Sequence, residues 1–209
     1  MILAIETSTP RASLAVYDRE RACVVAEKTF TTERAHNAAI FAPLQELIAA
    51  YREQLAGIVV GLGPGSYGGV RVGIAVANGL SVAMDLPVVG CCSLEGWEAA
   101  SESYLVAGDA RRGTFFLAVV KKGLLSGEPS LVPEAEVAAH LRPLLDEGLV
   151  VHSSDARVAE AIPGAVLSFP SAPRLAVRLR GHDFARRSAE ALEPHYLRAP
   201  YITLPKARK

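Results

Sequence analysis

Short apolar runs broken by polar turns fill the first half of the chain. Ile2–Ile5 is apolar and stops at Glu6-Thr7-Ser8-Thr9-Pro10. Ala12–Tyr17 resumes as a strand, Asp18-Arg19-Glu20-Arg21 turns the chain, and Cys23–Phe30 reads as a third strand. From Glu33 the spacing becomes helical and runs to about Arg52, with Thr32 as the expected N-cap. Gly57–Leu62 is wholly apolar and leads into Gly63-Pro64-Gly65-Ser66-Tyr67-Gly68-Gly69. A helix from Val70 to about Met84, a strand at Pro87–Gly90 and a helix at Leu94–Ser101 follow. Three strands, helix, strand, helix, strand is the chain order of a ribonuclease-H-like α/β lobe. Its first strands form a meander and its later ones run parallel through helical crossovers.

The second half starts the same way. Tyr104–Ala107 is a strand, Asp109-Ala110-Arg111-Arg112-Gly113 a turn, and Thr114–Val120 a strand. Placing Asp109 over Glu6, an offset of 103, brings Leu117-Ala118-Val119 over Leu14-Ala15-Val16. That match implies an internal duplication, with one lobe over residues 1–102 and an abbreviated one over 103–209. Beyond Val120 the pattern weakens to a helix at Pro133–Leu145, a strand at Leu149–His152 and a helix over Ser171–Ala191 interrupted at Gly181.

Two helices are greasier than one sheet requires. Across Glu33–Arg52, Ala39, Pro43, Leu47 and Ala50 read as one face, and Phe41, Leu44, Ile48 and Tyr51 as another. A helix on a sheet needs an apolar stripe only about 100° wide. In Val70–Met84 only Arg71, Asn78 and Ser81 are polar, while Gly73, Ala75, Ala77 and Gly79 are small enough to admit a second helix closely. Either the second lobe buries the surplus or another subunit does, and the second reading is preferred. It assigns the contact to His36, Ala39, Pro43 and Leu47 on the first helix and Arg71, Ile74, Asn78 and Ser81 on the second.

Chemistry-bearing residues are sparse. Gly63, Gly65 and Gly68 satisfy G-x-G-x-x-G between strand and helix, but the next strand ends in Cys91-Cys92-Ser93 where a dinucleotide site wants an acid. No Gly-Lys-Ser/Thr follows, so this is no Walker loop. Glu6, Thr7, Ser8 and Thr9, with Gly63 and Gly65 of the glycine loop and with Asp109 on the facing turn, make at most a vestigial nucleotide cleft, a weak ATP or ADP site with Mg²⁺. His36 has Ile40 one helical turn on, so no metal pair forms, and Ser66 follows Pro64, so there is no nucleophile elbow. No catalytic residue and no metal are expected.

Charge and cysteine usage refine this. Formal net charge is zero, yet residues 171–209 carry nine Lys/Arg against three acids, a net +6, leaving −6 on residues 1–170. A basic end suits nucleic acid or an acidic partner, or is a solvated face. The three cysteines lack bridging or metal spacing, the amino terminus lacks a basic leader, and no run of about 18 apolar residues occurs. These features predict a soluble, cytoplasmic protein without membrane contact.

Taken in order, Ile5-Glu6-Thr7-Ser8-Thr9, His36, Gly63-Pro64-Gly65-Ser66-Tyr67 with Gly69, Arg71 and Gly73, Asp109-Ala110-Arg111, and Glu193-Pro194 with Tyr196-Leu197-Arg198 resemble the TsaB (YeaZ) family. Tyr67-Gly68 stands where that family commonly has Phe-Thr, Glu6 where it has Asp, and about Gly123–Pro170 matches no family pattern. The resemblance implies an actin-like ATPase superfamily (ASKHA) α/β fold of two ribonuclease-H-like lobes, the second abbreviated. It also implies a non-catalytic scaffold that binds and activates its paralogue TsaD, with TsaE in the complex, for N6-threonylcarbamoyladenosine formation at A37 of tRNAs reading ANN codons. In that reading tRNA is contacted indirectly and the isolated chain homodimerises. TsaD carries a histidine pair on the equivalent helix, which His36 with Ile40 lacks. The rival expectation is a stand-alone ATP/Mg²⁺-binding enzyme of the actin-like class, and a weaker one is direct tRNA binding by the basic end.

Overall fold

The computed structural model describes residues 1–31, 37–179 and 191–197. Five strands, β1 (Ile2–Glu6), β2 (Arg11–Asp18), β3 (Cys23–Thr31), β4 (Ile58–Gly61) and β5 (Val88–Cys91), build the first sheet in the order β3-β2-β1-β4-β5. β1, β2 and β3 are antiparallel, whereas β4 and β5 run parallel to β1. Strand side chains alternate between faces, and both faces of the central strands are apolar. Leu3, Ile5, Leu14, Val16, Ile58 and Val60 meet α1 (Phe41–Tyr51) and α2 (Tyr67–Met84) on one side. Ile2, Ala4, Ala15, Tyr17, Val59 and Val89 meet α5 (Ala172–Arg178) on the other.

The second sheet repeats the plan. It contains β6 (Tyr104–Asp109), β7 (Thr114–Lys121), the short β8 (Leu124–Leu125), β9 (Ser130–Pro133), β10 (Val151–Ser153) and β11 (Val166–Leu167). β9 and β6 flank β7 antiparallel, while β10 and β11 continue parallel from β6. The order β9-β7-β6-β10-β11 is thus the order of the first sheet. β2 and β7 stand 103 residues apart at both ends. The pairing differs by one residue: Ile5 faces Leu14, but Gly108 faces Phe116 rather than Leu117. Shorter helices, α3 (Val137–Asp146) and α4 (Ala156–Ala161), replace α1 and α2. This is the actin-like arrangement of two ribonuclease-H-like lobes with the second abbreviated.

Several sequence expectations shift. The helix expected from Glu33 begins in the described residues as a 3₁₀ turn (Asn37–Ile40) before α1, and Thr32 and His36 lie outside the described residues. Leu94–Ser101 is only a 3₁₀ turn, Ser93–Gly96, because the next residues pair with the returning chain. Trp97 bridges Pro170, and its indole N–H donates to the Ser168 hydroxyl at 2.8 Å. Ser168 in turn meets His152 Nδ1 at 2.8 Å. Residues 103–209 do not all belong to the second lobe: α5 comes from that half but seals the first sheet, its Ala172 N–H bonded to Ser13 Oγ at 2.9 Å.

Candidate partner face and the glycine-loop cluster

The polar turn after β1 and the glycine loop after β4 are one packed unit. Glu6, Thr7, Ser8 and Thr9 are all buried. Ser66 N–H donates to the Ser8 carbonyl at 2.6 Å, and the Thr7 hydroxyl donates to the Gly69 carbonyl at 2.8 Å. The glycines exist because this backbone lies so close. A β-carbon at Gly65 would overlap the Ser8 carbonyl oxygen, one at Gly69 the Thr7 carbonyl oxygen, and one at Gly73 the Thr7 hydroxyl. Gly63 takes a positive φ of 84° and donates its N–H to Ser93 Oγ at 3.0 Å. The glycine motif therefore cradles its own chain at the positions where a nucleotide-binding loop would present itself to phosphate.

Glu6 sits at the centre of this unit. Its Oε1 accepts from Ser8 N–H at 2.6 Å, while Oε2 has no hydrogen-bond partner among the described residues. Gly61 and Ser93 stand against Oε2, and a side chain at Gly61 would collide with it. Burial pushes the carboxyl above its ordinary pKa of 4.5, against the opposing effect of hydrogen bonding from Ser8. The folded chain thus holds this proton to higher pH than the unfolded chain does. The associated stability is complete below 4.5 and falls as pH rises through the raised value. His152 runs oppositely: burial lowers its pKa from 6.5, so its share is present above 6.5 and lost as pH falls. Glu6→Gln separates the two. Urea midpoints should show the variant gaining on the parent as pH is raised from mildly acidic to neutral; a pH-independent difference would contradict the assignment.

Asp109 occupies the equivalent turn of the second lobe but engages other partners. Its Oδ1 accepts from Arg111 N–H at 2.7 Å and lies 3.6 Å from Arg157, which also reaches Glu134 at 3.2 Å. Asp155 caps α4, accepting from the N–H groups of Arg157 and Val158. The helix that corresponds to α2 thus has a carboxylate of its own at its N-terminus. Of the expected cleft residues, the structure gathers Glu6, Thr7, Ser8, Thr9, Gly63 and Gly65, and places Asp109 in a separate ion-pair cluster. Among the described residues no group of three His, Cys, Asp or Glu is set to hold a metal.

The helix faces divide differently from the sequence reading. α1 buries Leu44 and Leu47, with Ile48 and Tyr51 packed against the same core, so the inward stripe draws on both of the expected faces. α2 buries Val70, Gly73, Ile74 and Ala77. Leu47 and Ile74 are core residues, 3% and 8% exposed, and cannot serve as partner contacts. Ala39, Pro43 and Ser81 are half-buried, with the Ser81 hydroxyl donating to the Leu86 carbonyl at 2.6 Å. Arg71 and Asn78 are exposed.

The outward face of α2 is the largest surprise. Gly68, Arg71, Ala75, Asn78, Gly79 and Val82 are all exposed at helical spacing, with Val82 at 87%. Beta-carbons at Gly68 and Gly79 would meet nothing within 4 Å, unlike those at Gly65, Gly69 and Gly73. Glycine in an exposed helix interior, as at Gly79, costs about 1 kcal/mol relative to alanine, and nothing among the described residues accounts for it. At the start of the same face Arg71 lies 3.8 Å over the Tyr67 ring, and its Nε–H donates to the Tyr196 hydroxyl at 2.9 Å. Tyr196 stacks on Tyr67 at 5.6 Å, leaving both rings partly exposed. Tyr67, Ala75, Gly79, Val82 and Tyr196 were absent from the sequence-level contact set. The run of small residues hinted at Ala75 and Gly79; no spacing tied Tyr196 to α2.

These features define a bilobal α/β protein whose glycine loop is closed on its own chain and whose α2 face is left open by the described residues. Residues 24–130 match the family model described as TsaD: tRNA N6-adenosine threonylcarbamoyltransferase. An uncharacterized protein of Mycobacterium tuberculosis is 30% identical over 205 residues, 95% of this chain and 92% of its own length. The tRNA threonylcarbamoyladenosine biosynthesis protein TsaB of Haemophilus influenzae is 33% identical over 60% of this chain and 56% of its own. That of Bacillus subtilis is 32% identical over 65% and 61%. YeaZ from Pseudomonas aeruginosa superposes with a TM-score of 0.73 at 23% identity, covering 94% of this chain and 99% of that one. The chain belongs to the TsaB (YeaZ) family, within the wider family of TsaD.

Proposed function

We propose that this chain acts in tRNA threonylcarbamoyladenosine biosynthesis as a non-catalytic subunit that docks a TsaD-type threonylcarbamoyltransferase through the outward face of α2. The observation that carries this reading is Gly79, an exposed mid-helix glycine with open space around it, beside an almost fully exposed Val82. Small residues let a second helix approach to within about 8 Å between axes, and Val82 supplies apolar area to bury there. Tyr67, Arg71 and Tyr196 are of the residue types that concentrate binding energy at interfaces. The names carried by the TsaB relatives supply the pathway, and the TsaD family match supplies the partner's kind. A paralogous partner is built on the same lobe, so it can offer a matching helix.

The same geometry favours a scaffold over a nucleotide enzyme. Thr7 and Ser8 occupy the concave side of the glycine loop, and Asp155 and Arg157 occupy the corresponding turn of the second lobe. Mixed expression with a TsaD-type transferase tests the proposal. One co-eluting species containing both chains is expected. Separate elution at micromolar concentrations would defeat it, and a species containing only this chain would show that α2 serves self-association instead.

A further inference from the structure

α5 carries two arginines one turn apart, Arg174 and Arg178, on the side facing away from the first sheet's core. Both line a cavity of about 380 Å³ at the junction of the lobes, with Glu95, Trp97, Tyr104 and Gly123 among its walls. That volume lies in the range of small-molecule sites. Trp97 and Tyr104 are buried and form firm walls, the Tyr104 hydroxyl donating to the Leu94 carbonyl at 2.8 Å.

The lining holds two acids, Glu95 and Glu102, as well as the two arginines, so the signs are equal in number and what sets Arg178 apart is its unused donors. Glu95 is committed: Oε1 accepts from Leu125 N–H at 3.0 Å and Oε2 from the Cys91 thiol at 3.9 Å. Arg174 donates to the Ala99 carbonyl at 3.0 Å. Arg178 is half-buried and has no hydrogen bond or ion pair among the described residues. Its guanidinium rests on Gly123, where a β-carbon would come within 2.5 Å of Nη1. Gly123 holds a positive φ of 71°, and its N–H donates to the Glu102 carbonyl at 2.6 Å, so the support under the guanidinium is itself fixed. A guanidinium offers five donors in a planar fork that matches two oxygens of one anion. Half-burying such a group with its donors unused is costly unless something else satisfies them.

We infer that this inter-lobe cavity binds a small molecule through a terminal oxyanion, carboxylate or phosphate, held by Arg178 with Arg174 beside it. The site is independent of the α2 face and of the glycine loop. It faces the junction between lobes, so an occupant bridges α5 to the turn at Lys122–Gly123 and ties the two sheets together.

Inorganic phosphate and acetate, titrated separately into the full ¹⁵N-labelled chain, test this. Saturable shifts are expected at the Trp97 indole N–H, the Gly123 amide and the Arg178 Nε–H with at least one anion, and the anion that binds tighter identifies the headgroup. Arg178→Gln should weaken binding by about tenfold or more, the effect of losing a charge-assisted hydrogen bond. Equal shifts in parent and variant would mean an adventitious ion only, and no saturable shift with either anion would overturn the site. If the variant does not fold, the Arg178 Nε–H response of the parent decides alone: a shift that saturates with the other two supports the site, and none rejects it.

Discussion

Gly79→Arg is expected to abolish co-elution with a TsaD-type transferase while leaving the isolated chain folded. The position is exposed and mid-helix, and a β-carbon there meets nothing within 4 Å, so the new side chain has room in the free protein. In a complex the same side chain would stand between two helix axes that small residues had allowed to approach closely. Loss of packing at the centre of such an interface is worth on the order of 2–4 kcal/mol, about thirtyfold to a thousandfold in Kd. Gly79→Ala provides the control. It should raise the stability of the free chain by about 0.5–1 kcal/mol, because alanine is the better helix former, and weaken the complex modestly. Urea midpoints and size-exclusion profiles measured on both variants distinguish this from a folding defect. An intact complex with Gly79→Arg would move the docking surface elsewhere.

Gly69→Ala is expected to cost about 3 kcal/mol or more, and Gly68→Ala next to it almost nothing. Both residues lie in the first turn of α2. At Gly69 the added carbon would overlap the Thr7 carbonyl oxygen, a backbone atom fixed by β1 and by the bond from the Thr7 hydroxyl to the Gly69 carbonyl. Neither side can yield without separating the polar turn from the helix, and overpacking against backbone is among the costliest single changes. At Gly68 the space is open. If the glycine motif were instead shaped to admit a phosphate group, both substitutions would leave the free chain's stability nearly unchanged. Chemical denaturation of the pair therefore measures directly whether the loop is filled by its own chain.

The strands of the first lobe and the α2 helix were legible because apolar period and turn residues agreed. The β1–β2 hairpin lies within a residue of its expected limits, and the repeated tripeptide pointed to the duplicated sheet order. What failed has identifiable causes. Leu94–Ser101 looks helical in isolation, but Trp97 is claimed by Pro170 and Ser168, which are remote in sequence. Asp155 gives little sequence signal as a helix cap, since the helix it caps, α4, has only six residues and a weak pattern. Helical spacing fixes a stripe's width and not which side of it meets the sheet, so Leu47 and Ile74 read as partner contacts in the sequence and are core residues in the fold. α2 does turn apolar surface outward, but its outward members are Ala75, Gly79 and Val82 rather than Ile74. Tyr196 could not be foreseen: only the return of the chain to the glycine loop, with His195 N–H donating to the Leu62 carbonyl at 2.8 Å, brings it to Tyr67 and Arg71.

The central claim is tested most directly by quantifying N6-threonylcarbamoyladenosine in tRNA after reconstitution with a TsaD-type transferase and a source of the threonylcarbamoyl donor, with and without this chain. Strong stimulation by the parent, retained by Glu6→Gln and lost with Gly79→Arg, is the predicted result. Modification that proceeds equally well without this chain, or that Gly79→Arg supports as fully as the parent, would contradict it.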